Sequence, residues 1–298
     1  MTATDHRSET AEVGDAIGGD GSEAVFAAIV HRRRQKSTAR HLAGVILPPL
    51  VMGGIVLGIW YFVSYAMLSE RRRFLLRPPH EVLKVGFLDW DNFSDILDAL
   101  WATTKVAMMG LGISIVLGMT LAIVMSQSKL FERALYPYMV TLQAIPILAI
   151  APLIGFWFGT ALKGRLIVCV IISLFPIIVN TLFGLQSAER GMHDLFTLHH
   201  ANRFTRLRKL MFPAASPASF AGLRIAAGLS VIGAIVGDFI FGRGEAGIGQ
   251  ALKSYATNLE GEQLLAAVIM SSALGVGVFL TFGWIQQVAI GKWHDQSD

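Results

Sequence analysis

Apolar residues in this chain seldom alternate with polar ones; they run on. Stretches free of Asp, Glu, Lys and Arg extend from Leu42 to Leu68, Val106 to Met125, Ala134 to Leu162, Leu166 to Ala188 and Leu264 to Ile290. Each reaches the roughly 20 residues that a helix needs to cross the hydrocarbon core. A further run, about Phe220 to Phe241, is interrupted by Arg224 and Asp238, with thirteen uncharged residues between them. A long basic side chain near one end can reach the interface along its own methylenes, and an acid near the other can reach a wet cavity, so this run counts as a span too. The pattern predicts an all-α, polytopic membrane protein with six transmembrane helices.

The segments around these runs divide the chain into a polar tail over 1–40, partly disordered and cytoplasmic, a first helix and extracytoplasmic segment over 41–98, and a core over 99–291 with a cytoplasmic loop at 187–218. Within the tail, Ala24 to Val30 followed by Arg32, Arg33, Arg34, Lys36 and Arg40 reads as a stretch lying on the membrane surface. Small residues recur every fourth position at Gly110, Ser114, Gly118 and Ala122, and again at Gly222, Ala226, Ser230 and Ala234. Such ridges let helices approach closely where lipid supplies no hydrophobic drive. Pro146, Pro152 and Pro176 are expected to bend the third and fourth spans.

Composition supports the bilayer as solvent: 53% of residues are apolar, 15% are charged and mean hydropathy is +0.55, against about 25% charged residues in soluble chains. The net charge of +4 and pI near 9.3 would elsewhere raise nucleic acid as a partner. Here the basic residues lie in loops and tails, so they orient the chain and imply no nucleic acid. With the N-terminus inside, cytoplasmic segments hold fourteen Lys and Arg and outer segments nine, with Lys105 and Arg224 inside spans. That places both termini in the cytoplasm, although Arg71, Arg72 and Arg73 stand against the rule just outside the first helix. The single cysteine, Cys169, excludes an intrachain disulfide and a cysteine metal cluster.

The loop from Asp194 to Pro213 is the most informative segment. Asn202 is placed to cap a helix whose Phe204, Leu207, Leu210 and Met211 share one face while Arg203, Arg206 and Lys209 cover the other. Such a helix either packs under the bundle or is offered to a cytoplasmic partner.

At these residues the sequence resembles the six-helix permease subunits of bacterial ABC importers, with the type-1 transmembrane domain of the nitrate, sulfonate and taurine branch. Asp194 takes the acidic position that opens a short helix, Ala201 and Arg203 match the turn and helix start, and Phe212-Pro213 replaces a Leu-Pro. Pro213 to Pro217, Ala221 to Gly228, Gln143 to Pro146, Ala151 to Leu153 and Phe175 to Ile177 with Asn180, Thr181 and Gly184 are also similar, and the likeness spans about Pro78 to Trp293. The family's turn glycine falls on His200, so a left-handed backbone must be taken by His200 or shift to Asn202. The resemblance implies that residues 194 to 212 form a coupling helix that docks on an ATPase subunit, carried by Asp194, His200, Ala201, Asn202, Arg203, Phe204, Leu207 and Pro213. It further implies a bacterial inner-membrane location, a partner permease copy, two ATPase subunits and an extracytoplasmic solute-binding protein, with membrane lipid around the spans. No Gly-x-x-x-x-Gly-Lys-Ser/Thr loop occurs, so ATP is expected to be handled by another subunit, and neither enzyme activity nor a cofactor is expected of this chain. Gly237 to Phe241 looks more like relatives that carry thiamine precursors or riboflavin.

Other motifs carry less. Gly242-Arg-Gly-Glu-Ala-Gly247 fits a dinucleotide pattern on paper but follows a membrane helix and not a strand, so a turn is the better reading. His193, His199 and His200 lack the spacing and partner ligands of a zinc site, and no metal is expected. Gln143, Ser173, Asn180 and Asp238 are polar within spans and are candidates to line a translocation path, the other reading of Gln143 and Asn180 being hydrogen bonds across helices. The alternative function is a stand-alone channel or secondary transporter, which would show an inverted repeat or several buried acids.

Overall fold

The computed structural model describes residues 46–242 and 244–294, and among the described residues all regular structure is helical. The tail over 1–40, its surface stretch and the start of the first apolar run lie outside the described residues. The chain forms two compact units that divide after Ser69. The first contains α1 (Ile46–Met67), of mean hydropathy 2.0, which leaves Leu47, Leu50, Met52 and Phe62 more than half exposed. A helix apolar on all sides is one that lipid solvates.

The second unit holds α2 (Pro79–Gly86), α3 (Trp90–Gln127), α4 (Lys129–Ala144), α5 (Ile147–Phe158), α6 (Leu162–Gln186), α7 (Arg190–Leu198), α8 (Arg203–Phe241), α9 (Ile248–Asn258) and α10 (Gly261–His294). Among the described residues five helices, α1, α3, α6, α8 and α10, are long and apolar enough to cross a membrane. The third expected span is a broken one: α4 and α5 qualify only as a pair, bent by 101°. The break follows from Pro146, which has no N–H to give the helix and pushes Ile145 out of the helical region, to φ −67° and ψ 124°. By contrast α6 continues as one helical element through Pro176.

The small-residue ridges fix how the long helices lie. Gly110 and Gly118 of α3 press against Cys169 and Ile177 of α6, so these two helices run parallel. Gly237, Gly233 and Gly222 of α8 meet Arg165, Cys169 and Asn180, so α8 runs antiparallel to α6. Cys169 is clamped from both sides: a Cβ added at Gly233 would lie 2.8 Å from its Cα, and one at Gly110 would lie 2.8 Å from its Cβ. Both ridges are buried along their length, as the four-residue spacing predicts. α10 lies antiparallel to α8, with Arg224 against Gly283 and over the Phe279 ring at 4.1 Å. Because α3 and α6 run the same way, the bent α4–α5 pair must carry the chain from one end of the bundle to the other. Thr103, Arg165, Asp238, α2 and α9 gather at one end; the ends of α3 and α6, the whole of α7 and the last turns of α10 gather at the other.

The basic helix after Asn202 is continuous with the apolar helix that ends at Phe241. Pro213 cannot donate a helical hydrogen bond, and the backbone meets this with a π turn over Leu207–Met211, in which the Phe212 N–H bonds the Leu207 carbonyl five residues back. α8 is thus one 39-residue helix running out of the loop into the bundle.

Candidate functional site

The loop between α6 and α8 is built by its end signals. α7 closes in a Schellman turn: the His200 N–H bonds the Thr197 carbonyl at 3.0 Å and the Ala201 N–H bonds the Phe196 carbonyl at 3.0 Å. The position that this motif puts in the left-handed region is His200, at φ 48°, while Asn202 keeps φ −69°. Of the two ways to make the turn without glycine, the chain uses His200, which leaves Asn202 free to cap α8 by accepting the Thr205 N–H at 2.7 Å. Arg206 Nη2 donates to Thr197 Oγ1 at 2.9 Å and ties the two arms together.

Burial splits the apolar face expected on this segment. Leu210 and Met211 are buried and Leu207 is half-buried, Met211 and Leu207 in a cluster with Leu185, Ala215 and Ile123. Phe204 is 68% exposed, and α7 has no buried residue at all: Met192, Leu195 and Leu198 face outward, Leu198 at 78%. Leu207, expected beside Phe204 on one face, therefore anchors the arm, while Phe204, like the apolar residues of α7, stays exposed. Asp194, His200 and Arg203 are exposed along the same loop, Ala201 is half-buried, and Pro213 lies at the first turn after the π segment.

At the opposite end a buried ion pair joins four elements. Arg165, expected in an outer loop, lies within α6 and is 3% exposed; Asp238 of α8 is 1% exposed. Arg165 Nη1 is 2.9 Å from Asp238 Oδ1 and donates to the Glu245 carbonyl at 2.7 Å. Asp238 Oδ2 accepts the Gln250 N–H at 2.8 Å, so the same carboxylate caps the start of α9. Thr103 of α3 accepts the neighbouring Ile248 N–H at 2.8 Å. The Glu245 side chain forms an exposed ion pair with Lys105. The glycine-rich turn that allows this leaves α8 at Gly242, φ 36°, and passes Gly244 at φ 97°. It links helix to helix, without the strand that dinucleotide binding needs.

The polar residues expected to line a path lie apart. Ser173 is fully buried, shares a 2.8 Å hydrogen bond with Ser114 of α3 and donates to the Cys169 carbonyl. Asn180 donates to the Pro176 carbonyl at 2.8 Å where Gly222 crosses. Gln143 is exposed, one turn before the α4–α5 break. Sequence reasoning singled out Asp238 but missed Arg165, Thr103 and Glu245 as its neighbours; the signal available was a lone acid and a lone base near the ends of two spans. Among the described residues no group of three or more His, Cys, Asp and Glu side chains could hold a metal.

The chain matches, over residues 114–289, the profile of the family described as binding-protein-dependent transport system inner membrane component. It is 35% identical over 189 residues to the formylaminopyrimidine transport permease protein ThiX of Halalkalibacterium halodurans, covering 63% of this chain and 75% of that protein. It is 34% identical over 164 residues to the riboflavin transport system permease protein RibX of Chloroflexus aurantiacus, covering 55% and 60%. A chain in the crystal structure of an amino acid ABC transporter with histidines superimposes with a TM-score of 0.55 at 16% identity, over 69% of this chain and 98% of that one, which shows a shared fold. A match over more than half its length, to a bundle of this architecture, places this polytopic membrane protein in the binding-protein-dependent transport system inner membrane component family, a family of transport permeases.

Proposed function

We propose that this chain is the permease subunit of an ATP-driven importer of a small organic solute, with six crossings of a bacterial cytoplasmic membrane and both termini inside. The sixth crossing is the α4–α5 pair, supported by the parallel course of α3 and α6. The α7 end carries Lys129, Arg133 and the five basic residues between Arg190 and Lys209, which favours the cytoplasmic side for it. α10 ends on that side, and the segment Glu70–Gly86 belongs to the other, with Gly86 against Ala266 and the Phe74 carbonyl against Gly261 at the start of α10.

The observation that carries the reading is α7: a helix without a buried residue that exposes Leu195 and Leu198, followed by a 39-residue helix that exposes Phe204 in its first turn and runs unbroken into the bundle. An ATPase subunit that grips this apolar patch moves α8 as a rod. α8 packs on α6 through glycine contacts too close to slide, so the two tilt together and exchange inward for outward access as ATP shifts the population. A second permease copy completes the path, and the α9 end faces the solute-binding protein. The names of the two relatives make a small nitrogen heterocycle the first solute to try. Asp238, the one buried carboxylate among the described residues, is matched by Arg165, so no spare buried acid is left there for ion-driven transport.

The test replaces Leu198 and Phe204 together by Asp. Membrane insertion should persist while uptake and ATPase co-purification are lost; normal uptake in that variant overturns the coupling role.

A further inference from the structure

Resting on the bilayer orientation just proposed, a second feature of the α7 end is unaccounted for by transport. Where α3 and α6 finish and α4 and α7 begin, a polar concavity of about 630 Å³ opens, lined by Ser128, Lys129, Glu132, Arg133, Gln186 and Arg190 among others. It holds three cations and one carboxylate. That carboxylate is engaged: Glu132 Oε2 accepts from Gln186 Nε2 at 2.9 Å. Among the described residues no ion pair joins Lys129, Arg133 or Arg190 to an acid. Three cations against one carboxylate leave the hollow with a net positive charge, and α4 and α7 both begin there, adding the positive ends of their backbone dipoles. The hollow asks for an anion.

The apolar surroundings say which kind. α4 has no buried residue. On its first turn Leu130 is 76% exposed and Phe131 52%, and Tyr138, two turns on, is 71% exposed. A free phosphate or an acidic protein loop in the hollow would leave this stripe bare, whereas an amphiphile covers both. We propose that the concavity is a binding site for the headgroup of an anionic phospholipid, with its acyl chains along Leu130, Phe131 and Tyr138. Arg190 opens the coupling helix, so the bound headgroup steadies the start of α7, and anionic lipid becomes a requirement for efficient coupling.

The experiment uses the full-length chain, purified and placed in nanodiscs of phosphatidylcholine with or without phosphatidylglycerol, with retained lipid read by native mass spectrometry. Near a surface each cation is worth about a five-fold factor, so the combined Lys129→Gln, Arg133→Gln, Arg190→Gln variant should hold phosphatidylglycerol on the order of 100-fold more weakly. Each single replacement should lose about five-fold, which keeps the series readable if the triple variant melts early in phosphatidylcholine. Leu130→Asn with Phe131→Asn should also weaken the lipid. Phosphatidylglycerol held as tightly by the triple and single variants as by the parent overturns the site. So does displacement of the lipid by millimolar inorganic phosphate, or lipid binding indifferent to Leu130 and Phe131, either of which assigns the hollow to a free anion. Loss of ATPase co-purification by the triple variant in pure phosphatidylcholine assigns it to the ATPase interface and overturns it as well. Lipid retention by the permease alone needs no ATPase. A chain that holds phosphatidylglycerol here but recruits no ATPase through Leu198 and Phe204 therefore sinks the coupling role and leaves the lipid site standing.

Discussion

Asp238 spends both carboxylate oxygens, one on Arg165 and one on the first turn of α9. Removing one member of a buried pair leaves the other charge unmatched, at a cost of about 3–5 kcal/mol. Asp238→Asn and Arg165→Met should each lower the thermal midpoint sharply in detergent. The combined Arg165→Met, Asp238→Leu variant should recover much of the loss but not all of it, because the Gln250 N–H stays uncapped, worth about 1 kcal/mol. Losses in the double variant equal to the sum of the single ones would mean that the two residues act independently. Packing gives a second contrast. Gly233→Leu drives a side chain into the Cys169 backbone and should abolish folding, whereas nothing lies within 4 Å of a Cβ at Gly112, so Gly112→Ala should be near neutral. His200, at φ 48°, bears a left-handed cost of about 1 kcal/mol that His200→Gly should relieve without loss of uptake, as a thermal melt with a transport assay can check.

Among the elements, α8 joins the basic loop helix and an apolar span in one rod. The amphipathic pattern after Asn202 and the apolar run after Phe220 read from sequence as two helices with Pro213 between them, because proline normally breaks a helix. The π turn over Leu207–Met211 absorbs the missing N–H and keeps the axis whole. Inserting two glycines between Met211 and Phe212 should leave the exposed patch on α7 intact, so ATPase co-purification and ATP hydrolysis persist while uptake falls to background. Uptake retained at the parent level would show that the rod does not transmit the motion. The α4–α5 pair is the opposite case: Pro146, expected to bend the run over Ala134–Leu162, breaks it with a bend of 101°, because there the freed backbone is not re-satisfied by a wider turn.

For the whole molecule, parallel α3 and α6 with α8 antiparallel between the two ends make a sidedness that can be measured. Cys169 is the only cysteine and is buried, so it can be changed to Ala and single cysteines introduced in its place. Leu198→Cys at the α7 end should react with an impermeant maleimide only in inside-out vesicles, and Thr257→Cys on α9 only in intact cells. Labelling of both from one side would overturn the topology and the coupling role with it.

Much of this protein is written locally. Long uncharged runs determined the spans, four-residue spacing of Gly, Ser and Ala determined the buried ridges, and Asn202 determined the start of α8, because each depends on neighbours within a turn or two of helix. Tertiary structure decided what depends on register between distant segments: that Arg165 meets Asp238 across seventy-three positions of sequence, that Leu207 turns inward while Phe204 turns out, and that three basic residues from two helices share one hollow. A side chain's type says which partner it needs. Only the packing of one helix against another says which partner comes within 3 Å.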